Sequence, residues 1–126
     1  MKIFFNLLLA ISTFLFFQPA WGAEPIEEAR AVFVKMVTAA KANDIEGFKS
    51  HILPRDLAEM EKEGATQMVM MMMAEDNPAI FHAEAGKGHI IFTHEIKEEG
   101  PGSSSSMKKI VYMIKHEGQW KFGTPQ

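Results

Sequence analysis

The fold is decided by residues 107–122, which read MKKIVYMIKHEGQWKF. Two runs rich in β-branched and aromatic residues lie on either side of the tripeptide HEG at 116–118. This pattern is typical of two antiparallel strands joined by a tight turn. The rest of the chain can be interpreted as the elements that cover one face of such a sheet.

Two registers are open to this hairpin, and they differ in which side chains share a face. A two-residue loop would place Trp120 opposite Lys115. A three-residue loop would place Trp120 opposite Ile114 and Phe122 opposite Tyr112, with the lysines on the other face. The second register separates apolar from polar side chains and puts the glycine of the turn at a bulge that requires positive φ. We therefore predict a three-residue loop.

The first 23 residues have the layout of a secretory signal peptide: MKIFFNLLLAISTFLFFQPAWGA begins with a lysine, continues as an apolar run and ends in small residues. Small residues stand where a signal peptidase requires them if cleavage follows Gly22. An uncleaved anchor is the alternative, but the apolar run is shorter than the roughly 20 residues that span a bilayer. We expect export to the periplasm or cell exterior, with residues 1–22 removed and residues 23–126 forming one domain.

The composition excludes several classes of protein. The chain has no cysteine, so disulfides, thiol chemistry and a lipid anchor at a cleavage-site cysteine are excluded. Its 13 basic and 16 acidic residues give a formal net charge of −3 without a basic stripe, so nucleic acid is not an expected partner. After the signal peptide no segment is long and apolar enough to span a membrane, and no membrane association is expected after cleavage.

Four helices are predicted ahead of the sheet. Pro25–Ala42 carries apolar residues at helical spacing, and Pro25 suits a first helical turn. Asp44 is expected to cap a short second helix. Residues 54–63, PRDLAEMEKE, form a third, and residues 65–75, which contain a methionine run, form a fourth.

The strands follow the helices. Residues 80–84 and 89–97 are predicted strands joined by a glycine-rich turn, and residues 100–106, GPGSSSS, are predicted to be a flexible loop before the C-terminal hairpin. Helices followed by four consecutive antiparallel strands indicate an α+β fold, with N-terminal helices packed on a curved four-stranded antiparallel meander sheet.

Two short segments carry a resemblance to a known family. The step Asn43-Asp44 after the first helix and the closing Trp120-Lys121-Phe122 resemble small exported members of the nuclear transport factor 2-like superfamily, which has the cystatin-like α+β roll. The resemblance covers the mature chain in the order of its elements. It implies a curved sheet around the first helix and a cone-shaped cavity. The superfamily holds isomerases, dehydratases, binding modules and many members of unknown function, so no particular chemistry is implied.

One pair of residues is a candidate catalytic site. If the loop at 100–106 joins its strands symmetrically, His94 lies opposite Tyr112 on the apolar face. The pair could serve as an acid–base histidine and a phenol donor, or the two side chains could satisfy each other inside the core. Isomerases of the superfamily use an aspartate base beside tyrosine donors, and no aspartate falls on these strands, so the roles of those residues do not transfer to this pair. The residues predicted to bind a ligand in the cone are Phe33, Phe92, His94, Tyr112, Ile114 and Trp120.

The methionine run at 68–73, MVMMMM, has three interpretations. It is conformable core packing, an exposed adaptable patch for a partner or apolar ligand, or a Cu(I) site formed by Met70, Met72 and Met73. Consecutive residues on a helix point in different directions, which argues against copper. The candidates for partner or soft-metal contact are Met68, Met70, Met71, Met72 and Met73.

These observations favour a small exported binding or accessory module over an enzyme, with an apolar pocket or the methionine-rich helix as its contact. The partner is expected to be a small apolar ligand or a protein, and a homodimer is allowed. The alternatives are an isomerase-like or lyase-like enzyme that uses His94 and Tyr112, and a periplasmic copper-binding protein that uses the methionine run. The histidines have neither HxH nor HExxH spacing, so no metal site and no cofactor are predicted.

Overall fold

Helices come first and strands last in the part of the chain that this computed structural model describes, residues 23–125. The helices are α1 (Ala23–Lys41), α2 (Ile45–Lys49), α3 (Pro54–Glu63) and α4 (Thr66–Met73), followed by a 3₁₀ turn at Pro78–Ile80. The strands are β1 (His82–Ala85), β2 (His89–Gly100), β3 (Ser103–His116) and β4 (Gln119–Phe122). They form one antiparallel sheet in the order β1-β2-β3-β4. The predicted α+β class, with helices ahead of a four-stranded antiparallel sheet, is confirmed.

The predicted signal peptide lies outside the described residues. Within residues 23–125, no helix combines the length and the apolar character that crossing a bilayer would need.

Local signals in the sequence account for the helix ends. α1 ends before Asn43, which adopts positive φ (54°), a conformation that asparagine tolerates better than most residues. Asp44 caps α2 as predicted, because its carboxylate accepts a hydrogen bond from the Gly47 N–H at 3.0 Å. α3 begins at Pro54, whose missing N–H costs nothing in a first turn, and ends at Gly64 with φ 68°.

α1 supplies the apolar stripe that covers the sheet. Its buried residues recur at helical spacing and are Ala29, Phe33, Met36, Val37 and Ala40. The ring of Phe33 lies with its centroid 5.0 Å from that of Phe81 and 5.5 Å from that of Phe92. Arg30 places its guanidinium 5.0 Å from the centre of the Phe92 ring and donates to the Phe81 carbonyl at 3.0 Å. These contacts tie α1 to β2 and to the residue that leads into β1.

The C-terminal hairpin has the two-residue loop. Trp120 pairs with Lys115, and Phe122 pairs with Met113, so only Glu117-Gly118 lies between the strands. Both loop residues have positive φ, 50° and 79°, as a type I′ turn requires. The predicted three-residue loop is therefore wrong. The residues of β3 that it placed on the inner face lie on the outer face, and the reverse also holds.

The exchange places different residues in the core. Val111 and Met113 are buried beneath the helices, whereas Ile110, Tyr112 and Ile114 lie on the opposite face of the sheet. Apolar residues occupy both faces of β3, so separating apolar from polar side chains could not identify the inner face.

Lys115 can share the inner face with Trp120 because it lies at the rim of the core. Its Nζ is 5.2 Å from the centre of the Trp120 ring and 3.7 Å from the carboxylate of Glu28 on α1. The ammonium group is thus stabilised by an aromatic ring and by a carboxylate.

The segment predicted to be a flexible loop, residues 100–106, is mostly strand. Gly100 pairs with Ser103, and Pro101-Gly102 forms the turn, with φ 82° at Gly102. Proline followed by glycine at positive φ is typical of a type II turn. Residues 103–106 extend β3, so β2 and β3 form a long arm that continues beyond β1 and β4.

The turn geometry predicts a stabilising substitution. Glu117→Asn is expected to raise the free energy of unfolding by about 1 kcal/mol, because asparagine adopts positive φ at lower cost than glutamate. The measurement is urea unfolding followed by circular dichroism. Lys87→Asn, an exposed loop substitution, is the control and should change little. A neutral or destabilising effect of Glu117→Asn would instead favour the three-residue loop, in which residue 117 has ordinary negative φ.

Candidate functional site at the methionine helix

The methionines of α4 divide between the core and the surface. Met70 and Met73 are 1% and 4% exposed and belong to the core. Met68, Met71 and Met72 are between 53% and 64% exposed. The division follows helical geometry, because residues three apart share a face and Met70 and Met73 are three apart. The run therefore supplies core packing and, on its other side, an exposed apolar surface.

This exposed surface continues onto β3 across a groove of about 340 Å³, which we call the methionine groove. It lies between α4 and β3 and is closed at one end by the last residue of β4. Its lining residues are Val69, Met72, Met73, Asp76, Met107, Lys108, Lys109, Ile110, Val111 and Phe122. Met107, on the same face of β3 as Lys109 and Val111, is 61% exposed, so apolar surface faces solvent on the β3 side as well.

A second, shallower depression of about 490 Å³ lies on the solvent side of α4. It is lined by Gly64, Gln67, Met68, Met71, Met72 and Glu75. Met72 lines both depressions, so the exposed apolar surface runs without interruption from the outer side of α4 to β3.

An ion pair spans the methionine groove. Lys109 Nζ lies 2.6 Å from the carboxylate of Asp76, whose side chain is only 7% exposed. The same ammonium group lies 3.5 Å from the Met72 carbonyl, one of the last carbonyls of α4. A cation is favourable at that end of a helix. The pair therefore holds the C-terminal end of α4 against β3 and sets the width of the groove.

The groove follows an unpaired edge of β3. β4 pairs with β3 only at residues 113–116, and the Gly123 N–H adds one further bond to the Tyr112 carbonyl. From Val111 down to Ser103, β3 has no strand on this side among the described residues. The main-chain N–H and C=O groups of successive residues point to opposite edges of an antiparallel strand, so residues two apart share an edge. Because the Tyr112 carbonyl points towards β4, the N–H and C=O groups of Ile110, Lys108 and Ser106 point to the open edge.

The predicted pair of His94 and Tyr112 does not form. His94 lies opposite Lys109, and Tyr112 lies opposite Ile91. Residues that pair across two strands share a face of the sheet. His94 therefore lies with Lys109 on the face that the helices cover, and Tyr112 lies with Ile91 on the outer face. His94 instead packs its ring 5.3 Å from that of Phe81. The prediction was wrong because it assumed that residues 100–106 form the loop.

The residues predicted to bind a ligand are distributed over both faces of the sheet. Phe33 and Phe92 have no exposed surface and pack against each other. Ile114 lines a depression on the outer side together with Leu53, Pro54, Arg55, His116 and Thr124. Trp120 lines a separate cleft near α1. The six residues therefore do not meet at one point, and a ligand-binding role for them stays a prediction.

The residues proposed as soft-metal ligands also point apart. Met70 and Met73 lie in the core, whereas Met72 lies on the surface. In residues 23–125, no group of three or more histidine, aspartate or glutamate residues is placed to hold a metal ion.

Sequence reasoning missed the β3 side of the groove, namely Met107, Lys109 and Ile110, and the acid Asp76. Asp76 lies three residues after the methionine run, and an acid shortly after an apolar run was an available signal for a buried ion pair. Its partner could not be found without the register, because an error of one residue moves Lys109 to the other face.

Comparisons with protein-family models, with curated proteins and with solved structures found no match to this chain.

The division of the methionines predicts unequal effects of two neighbouring substitutions. Met70→Ala is expected to lower the free energy of unfolding by about 3 kcal/mol, because it leaves a cavity in the core. Met71→Ala, its matched control, should change it by about 0.5 kcal/mol or less. Urea unfolding of both variants measures the difference. Equal losses would mean that the exposed side of α4 is packed against something.

The ion pair predicts a second contrast between neighbours. Lys109→Met is expected to destabilise the protein by about 3 kcal/mol, since it leaves the buried Asp76 carboxylate without a partner. Lys108→Met, on the outer face and without a carboxylate partner among the described residues, should have a small effect. Thermal unfolding near neutral pH measures both. If the double variant Asp76→Leu/Lys109→Met were as unstable as Lys109→Met alone, the cost would not come from the unpaired carboxylate.

Proposed function

We propose that this protein is a non-enzymatic binding module that receives an extended apolar segment of a protein partner in the methionine groove. The observation that supports the proposal is the position of Met72 and Met107, both more than half exposed, beside the unpaired edge of β3. An extended segment would add to that edge as a strand. It would continue the line of β4, which stops at Phe122.

The chemistry of the groove favours a strand over a compact ligand. The open edge of β3 offers both N–H donors and C=O acceptors, and an added strand satisfies both, whereas an apolar small molecule satisfies neither. Side chains of an added strand alternate in direction, so every second residue would enter the groove between α4 and β3. Methionine is suited to such a contact, since its unbranched side chain adapts to different shapes.

A catalytic role has less support. The acid–base pair that the enzyme hypothesis requires is absent, because His94 and Tyr112 occupy different faces of the sheet. Export by the predicted signal peptide would place the binding module in the periplasm or outside the cell. The resemblance to the nuclear transport factor 2-like superfamily stays a prediction, and the proposal does not depend on it.

The proposal predicts selective binding of strand-forming peptides. The probe is a fluorescent nine-residue peptide in which leucine alternates with threonine, and binding is measured by anisotropy. Lys108→Pro is expected to abolish binding, because it removes an N–H from the open edge while leaving the bonds to β2 intact. Met72→Glu should weaken binding at least about tenfold by placing a charge in the groove.

Three controls separate strand addition from non-specific adhesion. Lys108→Ala removes the same charge but keeps the N–H, and should bind like the unmodified protein. Val34→Glu introduces the same charge at an exposed apolar position on α1, 46% exposed, and should also leave binding unchanged. A peptide N-methylated at alternate residues should not bind. Equal binding of the methylated and unmodified peptides, or no binding of either, would refute the proposal.

A further inference from the structure

A second cleft, which we call the His51 cleft, lies between α1 and the C-terminal hairpin, and the proposed peptide site does not use it. Its volume is about 560 Å³, within the range of small-molecule sites. The lining residues are Glu28, Ala31, Val32, Lys35, Ser50, His51, Gly118, Gln119, Trp120 and Lys121. Three separate elements contribute its basic side chains: α1 carries Lys35, the segment after α2 carries His51, and β4 carries Lys121.

The His51 cleft carries uncompensated positive charge. Glu28, the one acid among the described residues that line the cleft, already pairs with Lys115 at 3.7 Å and accepts a hydrogen bond from Trp120 Nε1 at 3.3 Å. Within residues 23–125, neither Lys35 nor Lys121 has a carboxylate oxygen within 4 Å. Two lysines therefore face the cleft without an acidic partner.

Backbone contacts fix the position of this positive charge. Lys121 Nζ donates to the Ser50 carbonyl at 2.6 Å, which holds the ammonium group beside His51 and leaves two of its protons for other acceptors. The His51 carbonyl accepts the Phe122 N–H at 2.7 Å, so the loop that carries His51 is bound to β4. Lys49, two residues earlier, does not add free charge, since it pairs with Glu61 at 3.0 Å.

The environment of the cleft lowers the pKa of His51. Burial lowers the pKa of His51 from its usual value, and the nearby positive charges of Lys121 and Lys35 lower it further. An anion bound between the lysines would reverse the second effect, because an opposite charge favours the protonated form of histidine.

We propose that the His51 cleft binds a small organic anion through a carboxylate or phosphate group, with Lys35 and Lys121 supplying the charge and His51 donating a hydrogen bond. The cleft also has apolar lining from Val32 and Trp120, against which the carbon skeleton of the anion would lie. Binding would draw a proton onto His51. Affinity is therefore expected to increase as the pH falls through the pKa that His51 has in the complex.

The test is a nuclear magnetic resonance titration of the protein with two probes, sodium benzoate and inorganic phosphate, each at low salt and at about 0.15 M salt. Saturable shifts are expected at Lys35, His51 and Lys121 with at least one probe, and the probe that binds identifies the head group. With benzoate bound, the pKa of His51 should rise by about one unit, which corresponds to roughly tenfold tighter binding at low pH. His51→Gln should bind benzoate without that pH dependence.

Matched lysine substitutions locate the site. Lys35→Gln, on the exposed surface of α1, should weaken binding about tenfold without affecting the fold. Lys41→Gln, also exposed on α1 but outside the His51 cleft, should bind like the unmodified protein. The proposal is overturned if neither probe gives saturable shifts, or if Lys35→Gln and Lys41→Gln weaken binding equally. Because the two sites share no lining residue, failure here leaves the peptide-binding proposal unaffected, and the reverse also holds.

Discussion

The two-residue turn at Glu117-Gly118 is the constraint on which the rest of the structure depends. Successive side chains of a strand point to opposite faces of the sheet. The turn therefore decides which set of every second residue in β3 packs against the helices. With this turn, Val111 and Met113 join the core beneath α1, and Lys109 reaches Asp76 at the end of α4. A turn one residue longer would bury Tyr112 and direct Lys109 away from α4. The methionine groove exists because the turn is short.

The sequence was sufficient for the order and type of the elements, and insufficient for the length and pairing of the strands. Helix ends were predictable because Asp44, Pro54 and Gly64 act through their own backbone chemistry, which does not depend on distant residues. The register was not, because it depends on how Lys115 is accommodated beside Trp120, and that requires Glu28 from α1. Glu28 and Lys115 are 87 positions apart in the sequence, so the residues around either one do not indicate the contact.

The candidate sites show the same limit. The methionine run could be recognised from composition, and its division into Met70 and Met73 inside and the others outside follows from helical spacing once one buried residue is known. The pairing of His94 with Tyr112 failed because a glycine- and serine-rich segment was interpreted as a loop. Proline and glycine at 101–102 were sufficient to make the turn, and the serines were free to continue the strand.

β4 connects the two proposed sites, although it has only four residues. Its inner side chains lie at different places: Trp120 lines the His51 cleft and Phe122 closes the methionine groove. Its outer edge is bonded to the segment that carries His51 and Leu53, where Ile52 makes a parallel bridge to Phe122. The strand is thus held on both sides, and both sites are built on a rigid element.

The open edge of β3 has a consequence for solubility. Long unpaired strand edges promote edge-to-edge aggregation, and proteins commonly protect them with charged residues such as lysine or cover them with a helix or loop. Here residues 103–106 are serines and Lys108 is exposed, so most of the edge is a poor template for another copy of the chain. Its apolar residues are Met107, Ile110 and Val111, and α4 lies beside this part of the edge. The protein can therefore keep a strand edge unpaired without exposing a long apolar edge. Another chain would pair with the edge only beside α4, and the helix restricts which segments can enter there.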